Sequence, residues 1–175
     1  MLGLALGVFG SIIMSAIFFI LSEKVYSEED VKLIPGAKLL AVIPAKINEK
    51  HNTKFDKFLY KKIDSAYGIS DDVALEKAAL NMEACMGSCK KLILINAKTD
   101  QDIETLKNKL KSINQNYILN TSLNINANAI ELNKLKDADG VVLLMERNMT
   151  KIEDLSSIIE TVNNWQKPIV GCIVY

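Results

Sequence analysis

The chain has 175 residues, 49% of them hydrophobic, and its 21 basic and 21 acidic side chains cancel. That length suits a membrane segment plus one domain of roughly 125–150 residues, and zero net charge gives no basic face for nucleic acid to bind. Arg147 is the only arginine, which argues against bidentate recognition of many phosphates.

Met1 to Ser22 is uncharged and overwhelmingly apolar. As a helix it would run about 33 Å at ~1.5 Å per residue, matching a bilayer core of about 30 Å. No basic residue precedes it and no small-x-small cleavage site follows, so a retained anchor is expected rather than a cleaved signal. Lys24, Lys32, Lys38, Lys46 and Lys50 all lie after the span. The positive-inside bias then places the following domain in the cytoplasm, with the chain crossing the plasma (inner) membrane once. Gly3, Gly7, Ser11 and Ser15 recur every fourth residue. In a helix they form one small-residue ridge, which predicts close packing against the helix of a membrane-protein partner.

Residues 23–50 read as a juxtamembrane linker. Within it, Leu39-Leu-Ala-Val-Ile43 is a short extended segment closed by Pro44. The domain is expected over residues 51–175. Phe55, Phe58, Leu59, Ile63 and Ala66 predict a first helix. A second follows the Asp71-Asp72 cap, with Leu75, Ala78, Ala79, Met82, Cys85, Met86 and Cys89 on one face. Lys91–Asn96 predicts a buried strand, and 100–113 a helix with Ile103, Leu106, Leu110 and Ile113 inward. Tyr117–Leu119 predicts a short strand, and the Asn-rich 120–128 a loop, with room for a strand remnant. A short helix over 129–136 leads to a strand over 141–145. Thr150-Lys-Ile-Glu153 has the form of a capping box for a helix carrying Ile152, Leu155, Ile158, Ile159, Val162 and Trp165 inward, and Ile169–Val174 is the last strand. Apolar strands alternating with amphipathic helices call for a mainly parallel, doubly wound α/β sheet.

The Lys91–Asn96 strand has the character of the first strand of a nucleotide-binding α/β fold, but no phosphate loop follows it. A P-loop needs about five residues, glycines among them, between the strand and its Lys-Ser/Thr pair, so that backbone N–H groups wrap the phosphates. Here only Asn96 and Ala97 separate Ile95 from Lys98-Thr99, and no glycine occurs from Ser88 to Asp139.

Leu2–Leu21, the acidic Ser27-Glu-Glu-Asp30, the run Leu39-Leu-Ala-Val-Ile-Pro44, Ala138-Asp-Gly-Val-Val-Leu-Leu144 and Pro168-Ile-Val-Gly-Cys-Ile-Val174 come in a recognisable order. Together they resemble the cytoplasmic end of bacterial polysaccharide co-polymerases and the tyrosine autokinases fused to or paired with them, the chain-length regulators of capsule and exopolysaccharide. The resemblance implies a P-loop-NTPase-like fold in truncated, degenerate form. The family's phosphate loop is missing, and its Asp-rich strand ends are replaced by Asn96 and Asn120. Its Glu-x-x-Arg-x-x-Arg ring helix is matched at Glu76 by Ala79 and Met82. Its tyrosine-rich tail and periplasmic domain are expected to be absent as well.

No catalytic, metal or nucleotide site is therefore expected, and no cofactor. Lys98 and Thr99 are at most a weak relic of the P-loop pair, more simply a helix start whose Asp100 and Asp102 would repel phosphate. Cys85 and Cys89 fall four apart on an apolar helix face and read as buried structural thiols. Asp137 and Asp139 precede a strand and read as cap and turn residues. His51 finds no partners for a Ser/His/Asp set, and Lys54, Lys57, Lys61 and Lys62 form a solvated face, or touch lipid if that helix lies near the membrane. The expected function is a membrane-anchored, non-catalytic accessory or regulatory protein of polysaccharide synthesis, pseudokinase-like and acting by protein–protein interaction. Its partners would be the bilayer and a membrane protein such as a polysaccharide co-polymerase. The alternatives are an active tyrosine autokinase or ATPase of that pathway, and a tethered interaction domain with no link to polysaccharide.

Overall fold

The computed structural model describes residues 2–21, 24–25, 28–31, 36–43, 70–96, 102–146 and 149–175. The helix expected over 55–66, His51 and its lysine-rich neighbours, and Lys98 and Thr99 lie outside them. The described elements are α1 (Leu2–Leu21), α2 (Glu28–Val31), β1 (Leu39–Val42), α3 (Asp71–Cys85), β2 (Lys91–Asn96), α4 (Asp102–Ile113), β3 (Ile118–Ser122), α5 (Ala129–Lys136), β4 (Gly140–Met145), α6 (Ile152–Asn164) and β5 (Ile169–Val174).

The five strands form one sheet in the order β1-β5-β4-β2-β3, every neighbouring pair parallel. Central strands of such a sheet are covered on both sides and so must be apolar throughout. Gly140–Met145 is buried at every position. Alternation sends Leu92, Leu94, Val142 and Leu144 to one face, beneath Ala78 and Met82 of α3 and Leu110 of α4. Ile93, Ile95, Leu143 and Met145 go to the other face, beneath Leu135 of α5 and Leu155, Ile158 and Val162 of α6. The expected doubly wound α/β architecture is present.

Local chemistry sets the ends of the elements. Ser70 caps α3 by accepting the Val73 N–H, with Asp71 and Asp72 beside the positive end of the helix dipole. The helix closes when the Met86 N–H reaches the Met82 carbonyl and Gly87 turns the chain at φ +57°. Cys85 and Cys89 therefore do not share one helix as expected. Cys85 is its last residue, and the Cys89 thiol lies beyond the turn, donating to the Asp139 carbonyl at 3.4 Å. The Asn128 side chain accepts from the Glu131 N–H and caps α5.

Three further expectations give way to tertiary contacts. Asn120–Ser122, read as the start of a loop, continues β3, because Asn120, Thr121 and Ser122 pair with Ile93, Leu94 and Ile95 of β2. The Thr150–Glu153 capping box does not form. Lys151 occupies the cap of α6 without a side-chain bond, and the Thr150 hydroxyl accepts from the Glu146 N–H instead. Ile113, placed on the inner face of α4, is 41% exposed.

The described parts of residues 23–50 pack on the sheet. β1 is the outer strand beside β5, and Val25 and Val31 are buried with the α5–α6 face of the sheet. The β1–β5 seam depends on Gly171, where an added Cβ would lie 2.5 Å from the Lys38 carbonyl oxygen. That carbonyl accepts the Cys172 N–H at 2.7 Å, and only glycine permits so close an approach. Asn81 of α3 secures β1 from one face by donating to the Leu40 carbonyl at 2.6 Å.

α1 differs from every other helix. Its side chains are described over residues 7–17, and all of them are exposed. Val8, Phe9, Ile12, Ile13, Met14 and Ile17 are all large apolar groups on that exposed stretch. Residues 7–17 cover about 16 Å, roughly half a bilayer core. Among the described residues no helix is long and apolar enough to cross a membrane. The expected transmembrane span is thus not established by the structure.

Candidate functional site at the C-terminal edge of the sheet

With all strands parallel, their C-terminal ends share one edge. The neighbours β2 and β4 send their chains to opposite faces, β2 into α4 and β4 into α6. Doubly wound sheets bind ligands in the crevice that such a divergence opens. At this edge Asn96 ends β2, Glu146 follows β4, and Tyr175 bonds Asn96 from the end of β5.

Asn96 is fully buried, and its Nδ2 donates to the Tyr175 hydroxyl at 2.7 Å. Tyr175 reaches that position because it extends β5, its own N–H bonding the Met145 carbonyl at 2.9 Å. On the β4 side the chain makes a tight turn. The Met149 and Thr150 N–H groups both donate to the Glu146 carbonyl, at 3.2 and 3.0 Å. The buried Thr150 hydroxyl accepts from the Glu146 N–H at 2.8 Å. The chain arriving from α1 docks on this turn: the Val25 N–H donates to the Thr150 carbonyl at 2.9 Å, and Lys24 pairs antiparallel with Lys151. The amide of Asn96 and the hydroxyl of Thr150 are buried and bond within the protein, alongside the Tyr175 phenol. None of the three carries charge at neutral pH.

The expected site residues are scattered. Gly7, Ser11 and Ser15 are exposed on α1, where the Ser11 hydroxyl donates to the Val8 carbonyl at 2.8 Å; Gly3 lies near the start of the same helix. Ala79 and Met82 are completely buried on the core-facing side of α3, so neither can touch a second chain. Asp139 is at the opposite edge of the sheet, accepting the Lys90 and Lys91 N–H groups at 3.0 and 2.8 Å. Those bonds hold its carboxyl below the usual aspartate range. Asp137 is the C-cap of α5. Among the described residues no group of three or more His, Cys, Asp and Glu is placed to hold a metal ion.

A separate open groove of about 280 Å³ lies along β3, lined by Lys107, Asn120, Thr121, Lys134 and Asp137. Its cations are already matched. Lys107 pairs with Glu104, which Thr121 also bonds, and both contacts hold the Glu104 carboxyl below its usual range. Lys134 binds Glu131 at 2.8 Å and also reaches the Thr121 carbonyl. Burial works against ionisation of Glu131, but bonds from Lys134, Ser122 and the Leu123 N–H prevail and its carboxyl too is held low.

Sequence reasoning missed Val25, Thr150 and Tyr175 as parts of the C-terminal edge. Val25 is an isolated apolar residue in a polar stretch, and Thr150 carried a competing cap signal. Tyr175 acquires its role only once β5 is placed beside β4.

Neither a protein-family model nor a curated protein sequence matches the chain. Among solved structures it is similar to the BceF tyrosine kinase domain, with a TM-score of 0.66 at 8% identity, over 86% of this chain and 98% of that one. The kinase domain of the Escherichia coli tyrosine kinase ETK also aligns, with a TM-score of 0.41 at 9% identity, over 86% and 94% of the two chains. The first likeness establishes the fold: an α/β sheet of the tyrosine-kinase-domain type.

Proposed function

We propose that this protein is a membrane-anchored, non-catalytic accessory or regulatory component of capsular or exopolysaccharide biosynthesis that works by protein–protein interaction. The observation that carries the reading is a tyrosine-kinase-domain fold whose β2 strand leads into a segment with no glycine from Ser88 to Asp139. Without glycine, backbone N–H groups cannot curl around a triphosphate. Lys98 and Thr99, two residues after the end of the strand, then lack the loop that would bring them to a phosphate.

The anchor is α1. Its 20 residues carry no charge, and the described part presents apolar side chains with no protein covering them. Lys24, Lys32, Lys38, Lys46 and Lys50 follow the helix, and by the positive-inside bias the α/β domain lies on the cytoplasmic side of the plasma membrane. The ridge of Gly3, Gly7, Ser11 and Ser15 supports pairing with another membrane helix, such as that of a polysaccharide co-polymerase.

Complementation tests this reading. Deleting the gene should change the amount or chain length of surface polymer. The double variant Lys98→Ala/Thr99→Ala should restore both as well as the natural chain does. Failure of that variant to complement, at normal abundance, would favour an active autokinase. An unchanged polymer in the deletion strain would remove the link to polysaccharide altogether.

A further inference from the structure

The chain passes from α1 to the sheet in very little space. Leu21 ends α1, and Lys24 is already bridged to Lys151. Three residues span at most about 11 Å even when fully extended. Val25 then locks the arrangement, its N–H on the Thr150 carbonyl at 2.9 Å and its side chain only 1% exposed. Val31, equally buried, prevents the segment from peeling away. The end of α1 is therefore held within about 11 Å of the 146–151 turn, at the C-terminal edge of the sheet. At that turn stands Met149, an apolar side chain 44% exposed on a backbone fixed by the Glu146 and Thr150 bonds.

We infer that the C-terminal edge of the sheet faces the bilayer, with residues 149–151 at headgroup level and Met149 in contact with lipid. This rests on the anchor reading of α1. Nearby charge is mixed: Lys24 and Lys151 stand with the exposed Glu29, Glu153 and Asp154. The contact is accordingly apolar and steric, and it forms on zwitterionic phosphatidylcholine without anionic lipid. The C-terminal ends of β2 and β4 consequently lie toward the membrane surface.

The protein supplies its own far-side probe. Trp165 is the sole tryptophan, and it caps the C-terminal end of α6, about 20 Å along the helix axis from Lys151. The full chain is reconstituted in phosphatidylcholine vesicles carrying a nitroxide on the headgroup. Three forms are compared: the natural chain, Met149→Trp in a Trp165→Phe background, and Phe9→Trp in the same background with the nitroxide on the acyl chain. The inference expects position 149 to be quenched several-fold more strongly than Trp165, and position 9 to be quenched from the acyl chain. Equal weak quenching at 149 and 165, with strong quenching at 9, would overturn the orientation while leaving the anchor intact. No quenching at position 9 would overturn the anchor and the orientation together. If Trp165→Phe does not fold, Met149→Trp alongside Trp165 gives the same comparison from its added emission.

Discussion

The two ends of the sheet are built differently. At the N-terminal end the loops that enter the strands bond to one another. Asp139 takes the Lys90 and Lys91 N–H groups, tying the entry of β2 to that of β4. Lys167 donates to the Ala138 and Lys136 carbonyls at 2.6 and 3.1 Å, satisfying acceptors left open at the end of α5. At the C-terminal end, the Glu146–Thr150 turn receives a distant part of the chain, Lys24 and Val25. The contrast shows a division of labour. One end completes the fold, and the end where doubly wound sheets hold ligands also fixes the domain to its helix.

Variants at graded distances from each end sharpen that contrast. Leu143→Ala, in the fully buried centre of β4, should cost about 2–5 kcal/mol and weaken both ends alike in denaturant melts. Thr150→Val acts on the C-terminal end alone. It leaves the Glu146 N–H without its acceptor, a loss of about 1–3 kcal/mol. Hydrogen exchange at Val25 should then accelerate while the Lys90 and Lys91 amides keep their protection. Equal acceleration at both places would break the comparison.

Asp139→Asn probes the other end, and its effect is present above about pH 4 and fades in acid. The Lys91 and Lys90 N–H bonds lower the folded-state pKa of Asp139 below its ordinary 3.8. Its stabilisation is therefore present above about pH 4 and lost as the pH falls through the folded value. Melting curves across that range should lose part of their acid slope in the variant. Tyr117→Phe should have the smallest effect at neutral pH, and of opposite sign. Among the described residues the buried Tyr117 hydroxyl has no hydrogen-bond partner, so its removal should be neutral or stabilise by up to about 1 kcal/mol. Burial, then the nearby Glu83 carboxylate, push its ionisation up to about 12. The unfolded chain ionises first, so stability falls as the pH rises above 10, and the variant should lose that alkaline decline.

Much of the interior could be read directly from the residues. β2, β4 and β5 are unbroken apolar runs because both their faces are covered, and α5 carries its own cap at Asn128. What escaped the reading depends on partners far away in sequence. Asn120–Ser122 has poor strand composition and becomes strand by pairing with β2. Thr150 has the spacing of a helix cap, but its hydroxyl is captured by Glu146. The candidate site itself was illegible, because Asn96 and Tyr175, 79 residues apart, meet through a single neutral hydrogen bond that no motif announces.

The central claim is that the tyrosine-kinase-domain fold is used here without nucleotide. Isothermal titration of the full chain in nanodiscs with ATP and Mg²⁺, carried to millimolar concentration, tests it most directly. The account predicts no saturable heat and no shift in melting temperature. Saturable binding at micromolar affinity, abolished by Lys98→Ala, would contradict it and favour the reading as an active kinase or ATPase.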